Sequence, residues 1–147
     1  IVNTASVAGL LGGTTNATYA VTKHGVVALT EILYRDLQQQ NLPIGCSVLC
    51  PGLINTNILT SGRNRPAALV NQQPDPAPDA QQTEAFAQFA AMLEQGMPTS
   101  EVADIVFQGV REQRLYIQTH DIFNEAILDR AQHIMNGTNP QLPGSWQ

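Results

Sequence analysis

The chain has 147 residues, 43% of them hydrophobic, and 7 Lys+Arg against 12 Asp+Glu give a net charge of -5. That length suits one domain or part of one, and with no basic cluster longer than Arg63-Asn-Arg65 neither nucleic acid nor an anionic membrane is expected as a principal partner. No apolar run approaches the ~18 residues of a membrane span and no charged-then-apolar leader opens the chain, so a soluble, cytoplasmic protein is expected.

Ile1-Val-Asn-Thr-Ala5 reads as a short strand, and Gly9, Gly12 and Gly13 punctuate the loop after it. The chain opens without a methionine, directly on this apolar run, and it reads as the second half of an enzyme whose sheet continues upstream. From about 16 to 40, Ala20, Val21, Val26, Val27, Leu29, Ile32, Leu33 and Leu37 recur at helical spacing. Thr15 or Asn16 is expected to cap this helix, and Asn41-Leu-Pro43 to stop it. Its apolar residues cover more than one stripe, so one side is expected on the sheet and another on a partner helix.

Ile44 to Cys50 reads as a strand ended by Pro51-Gly52. Cys46 and Cys50 would lie ~13 Å apart along it, too far for a disulfide. The stretch from about 55 to 98 reads as an inserted loop: Asn71 to Asp79 must be irregular, since three alternate prolines cannot continue a helix, and Gln81 to Gln95 forms one amphipathic helix. Thr99 or Ser100 is expected to cap a helix running to about Gln113, with Val102, Val106, Phe107 and Val110 facing inward. Leu115 to Thr119 is a last strand, and Asp121 is expected to cap a terminal helix with Phe123, Ile127, Ala131 and Ile134 as its apolar stripe. The order βαβαβα favours a parallel sheet with right-handed crossovers. The whole is expected to form a single partial domain, 1–147, with 55–98 as substrate loop and 120–147 as C-terminal helix and tail.

The residues that carry chemistry are Tyr19 and Lys23, in Tyr-Ala-Val-Thr-Lys, with Ser6 thirteen positions before the tyrosine in Asn3-Thr-Ala-Ser-Val-Ala-Gly9. Four apart on a helix, Tyr19 and Lys23 share a face. An ammonium one turn away favours a phenolate, which lets a phenol exchange protons nearer neutrality. Ser6, at the carboxyl end of a strand, can hydrogen-bond the oxygen of a carbonyl substrate, and such strand ends are where open α/β sheets bind ligands. A Tyr-x-x-x-Lys pair alone arises by chance in many helices; the Ser6 spacing, the small-residue run after the strand and Pro51-Gly-Leu-Ile-Asn-Thr56 after the next strand are what single this one out.

Together these residues resemble the short-chain dehydrogenase/reductase superfamily in its compact oxidoreductase branch, from Ile1 to about Thr119. The resemblance implies the C-terminal half of a doubly wound, Rossmann-like α/β fold, with NAD or NADP as cofactor and an alcohol or ketone as substrate. It makes Tyr19 the general acid/base, Lys23 the residue that favours its phenolate and bonds the nicotinamide ribose, and Ser6 the residue that orients the substrate oxygen. It places Pro51 and Gly52 beside the nicotinamide, with the main chain of Ile54 and the hydroxyl of Thr56 at its carboxamide, and it puts Ala8, Leu10 and Asn16 along the substrate pocket. Read without the resemblance, Pro51-Gly52 is equally an ordinary strand-ending turn and Thr56 a helix cap. A homodimer or homotetramer built through the helix at 16–40 is also implied.

The glycine-rich phosphate turn of that family, the residue that selects NAD or NADP and the asparagine of its proton relay are expected before Ile1, so this chain alone is expected to be inactive. Phe86, Phe89, Met92, Leu93 and Met97 suggest a lid over a large, apolar substrate, or simply packing on the protein. His24, His120 and His133 are scattered without a metal-ligand spacing, so surface or packing roles are expected and no metal. The alternative from another class is a non-catalytic dimerisation or binding module built on the same fold.

Overall fold

A computed structural model describes residues 1–12, 16–70 and 77–140. The chain divides into two compact units: Ile1–Gly52 with the chain from Asp104 onward, and Leu53–Ala103.

The first unit holds a three-stranded parallel sheet, β1 (Val2–Thr4), β2 (Ser47–Cys50) and β3 (Tyr116–Gln118), in the order β1-β2-β3. Val2 stands opposite Ser47, and Val48 opposite Tyr116, so all three strands end at the same edge. β2 is the central strand and is buried throughout, as a strand covered on both faces must be. It is shorter than expected at its start, because Ile44 and Gly45 are exposed and precede the paired residues.

Helix α1 (Ala17–Gln39) follows β1. Asn16 is its cap, its side chain accepting from the Tyr19 N–H at 2.9 Å; Thr15, the other expected cap, lies outside the described residues. The helix ends where Asn41 turns left-handed, φ 53°, just before Pro43. Only Val27, Thr30 and Leu37 of α1 are buried, while Val21, Leu29 and Ile32 are more than half exposed. Val27 joins Ala5, Val48 and Cys50 in the core, with Leu10 and Val26 packed against them. Thr30 is fully buried because it is satisfied twice: its hydroxyl donates to the Val26 carbonyl at 2.7 Å and accepts from the Asn3 side chain at 3.1 Å, tying α1 to β1.

Cys46 and Cys50 are both free and buried, as their spacing required. Burial, reinforced by the Glu31 carboxylate, pushes the Cys50 thiol up to about 11 and keeps it protonated at neutral pH. The Tyr116 phenol donates to Glu31 at 2.6 Å, and this bond, with burial, pushes it up to about 12.

The division between the units falls within α3 (Thr99–Arg111). This helix starts one residue earlier than expected: Glu101 and Val102 bond back to the Pro98 carbonyl, so Thr99 and Ser100 are inside it and neither caps it. Phe107 and Val110, expected inward, are 65% and 46% exposed. The sheltered stripe is Val102, Ile105, Val106 and Gly109, the i, i+3, i+4, i+7 set, and Phe107 and Val110 each lie one position off it. Gly109 is on that stripe because there is no room for more: a Cβ there would sit 2.6 Å from Cδ1 of the fully buried Ile117. Gly109→Ala should therefore cost stability despite a helix-propensity gain of about 1 kcal/mol. A net loss of about 1–2 kcal/mol is expected, and urea denaturation with an unchanged or raised midpoint would refute it.

Helix α4 (Asn124–Asn136) differs from expectation at both points predicted for it. Asp121 does not cap it through its side chain; its backbone carbonyl accepts from Asn124 N, and the cap position is Phe123. The sheltered residues are Phe123, Ile127, Arg130 and His133, whereas Ala131 and Ile134 are exposed, so the stripe turns away from the purely apolar reading.

The second unit contains two 3-10 segments, Ile58–Asn64 and Ala67–Leu69, and helix α2 (Ala80–Glu94). Asp79 and Gln82 form a reciprocal capping box that starts α2 one residue before the expected position. Much of the proline-rich run read as irregular lies outside the described residues. Leu93 is buried within this unit, while Phe86, Phe89 and Met92 are roughly half exposed along α2. Among the described residues no helix is long and apolar enough to cross a membrane.

Candidate active site

β1 hands the chain to a single 3-10 turn, Val7–Gly9, and Ser6 caps that turn by accepting from the Ala8 N–H at 3.2 Å. Two contacts fix where Ser6 sits. Val7 N donates to the Pro51 carbonyl at 2.9 Å, joining the end of β1 to the end of β2. Gly9 then presses on α1 so closely that a Cβ on it would lie 2.6 Å from the Lys23 carbonyl oxygen and 3.0 Å from Val27 Cγ2. The small residues after Ser6 thus let the turn lie flat on the helix at the level of Lys23.

On that helix the Lys23 ammonium donates to the Thr4 carbonyl at 3.3 Å and stands 5.6 Å from the centroid of the Tyr19 ring, a cation–π distance. Tyr19 is in the first turn of α1, partly buried, and its hydroxyl has no hydrogen-bond partner among the described residues. The Ser6 hydroxyl reaches the Pro51 carbonyl only at 3.5 Å, long for an O–H donor, so its proton is weakly used. Ser6, Tyr19, Lys23, Pro51 and Gly52 are all held at the carboxyl ends of β1 and β2 and the adjoining start of α1.

The other expected site residues are placed differently. Ala8 is buried, and Leu10 is partly buried and packs against the core. Asn16 is exposed and serves α1 as its cap at Tyr19. Ile54 and Thr56 belong to the second unit. There Ile54 forms a parallel bridge with Met97, through Met97 N to Leu53 O and Asn55 N to Met97 O. That pattern turns the amide and carbonyl of Ile54 itself away from Met97, and they have no partner among the described residues. Thr56 is exposed and caps nothing; the cap position of the following 3-10 segment is Asn57.

Gly52 has neighbours that spacing along the chain did not reveal. Its N–H donates to Thr119 Oγ1 at 3.0 Å, Thr119 Oγ1 is 2.7 Å from His120 Nδ1, and a Cβ on Gly52 would fall within 2.8 Å of both His120 and Phe123. His120, expected in a surface or packing role, is therefore part of the wall behind this turn.

Residues 1–67 match the family described as short chain dehydrogenase, and the chain belongs to the short-chain dehydrogenase/reductase superfamily. It is similar to the CLA biosynthesis dehydrogenase/reductase of Lactiplantibacillus plantarum, with 35% identity over 97% of this chain and 50% of that protein. It is also similar to human 3-hydroxyacyl-CoA dehydrogenase type-2, 44% identical over 63 residues, or 42% of this chain and 23% of that protein. Among solved structures, a short chain dehydrogenase/reductase from Burkholderia phymatum in complex with NAD superposes with a TM-score of 0.86 at 39% identity, over 99% of this chain and 51% of that one. The chain thus spans about half the length of these end-to-end matches, and its parallel sheet with flanking helices is that share of a Rossmann-like fold.

Proposed function

We propose that the protein carrying this chain is an NAD- or NADP-dependent oxidoreductase that interconverts an alcohol and a ketone, with Tyr19 as general acid/base. The observation that carries this reading is the convergence of Ser6, Tyr19 and Lys23 at the carboxyl end of β1 with donor capacity left over. The Tyr19 hydroxyl is unpartnered among the described residues, the Ser6 proton is weakly used, and Lys23 has committed one of its protons to Thr4. Such donors fit a ligand that presents ribose hydroxyls and a substrate oxygen. The NAD complex of the Burkholderia phymatum protein supports a nicotinamide as that ligand.

A bound nicotinamide supplies or accepts the hydride. Ser6 donates to the substrate oxygen and holds it for proton transfer. In alcohol oxidation Tyr19, as phenolate, takes the hydroxyl proton; in ketone reduction, as phenol, it returns one to the oxygen. Lys23, beside the ring, bonds the ribose. Pro51 and Gly52 face the nicotinamide, and in the second unit Ile54 and Thr56 are the groups proposed for its carboxamide. Ala8, Leu10 and Asn16 keep their proposed place near the substrate.

The substrate is proposed to be large and apolar, on the strength of the exposed Phe86, Phe89 and Met92 of α2. A relative whose name specifies a 3-hydroxyacyl-CoA supports a secondary hydroxyl as the reacting group. Self-association through α1 is supported by the exposed Val21, Leu29 and Ile32, and a cytoplasmic location is part of the same reading. The test is nicotinamide reduction by the protein carrying this chain with a graded set of secondary alcohols. Exchanging Phe86 and Phe89 for alanine should raise KM for the largest alcohols at least several-fold more than for the smallest; an equal change removes the lid. No turnover with any alcohol, in a protein that folds and self-associates, would instead favour the dimerisation or binding module.

A further inference from the structure

The backbone ladder between β2 and β3 pairs Cys50 with Gln118 and stops there; Pro51, the next residue, turns its carbonyl toward β1, where it accepts from Val7 N. One residue later the Gly52 N–H is received by a side chain, the Thr119 hydroxyl, at 3.0 Å. Thr119 is 8% exposed, so this bond is sheltered from water. That oxygen keeps its own proton and a second lone pair, so it pairs with His120 Nδ1 at 2.7 Å whichever of the two carries the bridging proton. The imidazole is in turn held flat against the turn: a Cβ on Gly52 would lie 2.7 Å from His120 Nδ1 and 2.8 Å from Phe123 Cε2. Phe123 meets the His120 ring edge-on, centroids 6.2 Å apart at 67°.

We propose that Thr119 and His120 are positioning residues, a clamp from the β3–α4 junction that sets the Pro51–Gly52 turn from behind and so sets how tightly the nicotinamide nucleotide is held. The proposal rests on the reading that this turn faces the nicotinamide. Neither residue is asked to touch substrate or move a proton. Thr119 supplies the acceptor for the Gly52 N–H, and His120 orients that hydroxyl while walling off the side of Gly52 where a side chain would grow.

The test uses the protein carrying this chain, with NAD and NADP as probes and their dissociation constants measured by calorimetry. Thr119→Val, which keeps the shape and removes the acceptor, should weaken nucleotide binding ~10-fold. Thr119→Ser should restore it to within about twofold, and His120→Asn, whose amide oxygen can replace Nδ1, should bind better than His120→Leu. The KM of the alcohol should move much less than nucleotide affinity, a split that general loosening of the fold would not produce. If Thr119→Val does not fold, the His120 pair decides by the same measurement. Equal nucleotide affinity in Thr119→Val, Thr119→Ser and the parent, or in the two His120 variants, overturns the clamp. Tyr19→Phe is carried in parallel: retained turnover there refutes the underlying reading, whereas lost turnover with unchanged nucleotide affinity in Thr119→Val refutes the clamp alone.

Discussion

Tyr19→Phe in the protein carrying this chain is expected to lower kcat by ~10³-fold, the scale of a lost general acid/base, and to leave nucleotide affinity within about twofold. The variant removes one oxygen and little else. Tyr19 contributes its backbone N–H to the Asn16 cap and its ring to the Lys23 ammonium, and phenylalanine keeps both. Since the hydroxyl has no partner among the described residues, its loss should leave no buried group unsatisfied and should barely move the melting temperature. A stopped-flow measurement of hydride transfer at saturating nucleotide checks this directly, and turnover within tenfold of the parent would take proton transfer away from Tyr19.

Gly9→Ala is expected to have the largest effect on stability, about 3 kcal/mol, at the upper end of the usual overpacking range. Its Cβ would lie 2.6 Å from the Lys23 carbonyl oxygen and 2.9 Å from the carbonyl carbon. Those are helix backbone atoms, which cannot swing aside as the tip of a flexible side chain can. Relief must come from lifting the Val7–Gly9 turn away from α1, which carries Ser6 with it and strains the Val7 bond to Pro51. Activity should therefore fall beyond what the lost stability explains when assayed well below the melting temperature. Chemical denaturation is the measurement; a midpoint within about 0.5 kcal/mol of the parent would mean the turn can move freely.

What the amino-acid order made legible follows from the range of the forces involved. α1 was readable nearly to the residue, because its cap at Asn16 and its stop before Pro43 are local chemistry. α2 was readable to within a residue from its helical spacing, but its first residue is set by the Asp79–Gln82 capping box, which that spacing does not show. Tyr19, Lys23 and Ser6 were readable because a four-residue helical offset and one strand-to-helix loop bring them together, and Lys23 over the Tyr19 ring is what that offset predicts. The inward face of α3 was misread because apolar residues recur on more than one line of that helix, and only Ile117, on a strand that follows it, selects Gly109 over Phe107 and Val110. Thr30 was passed over as a core residue because its partner, Asn3, stands 27 positions away. Thr119 and His120 escaped for the same cause: Gly52 is 67 residues from its acceptor, and no periodicity spans that distance. In each case the missing information was a tertiary partner for a polar or very small residue.

The Lys23 bond to Thr4 bears on more than the reacting phenol. Along β1 the groups turned toward β2 are the carbonyl of Ile1, which accepts from Ser47, and the amide of Ala5, which donates to Leu49; the alternation of a strand turns Thr4 the other way. The carbonyl that receives the ammonium is thus one of the groups that β1 turns away from β2. Another strand could extend the sheet alongside Val2, but at Thr4 it would have to displace a charged side chain from the acceptor it needs.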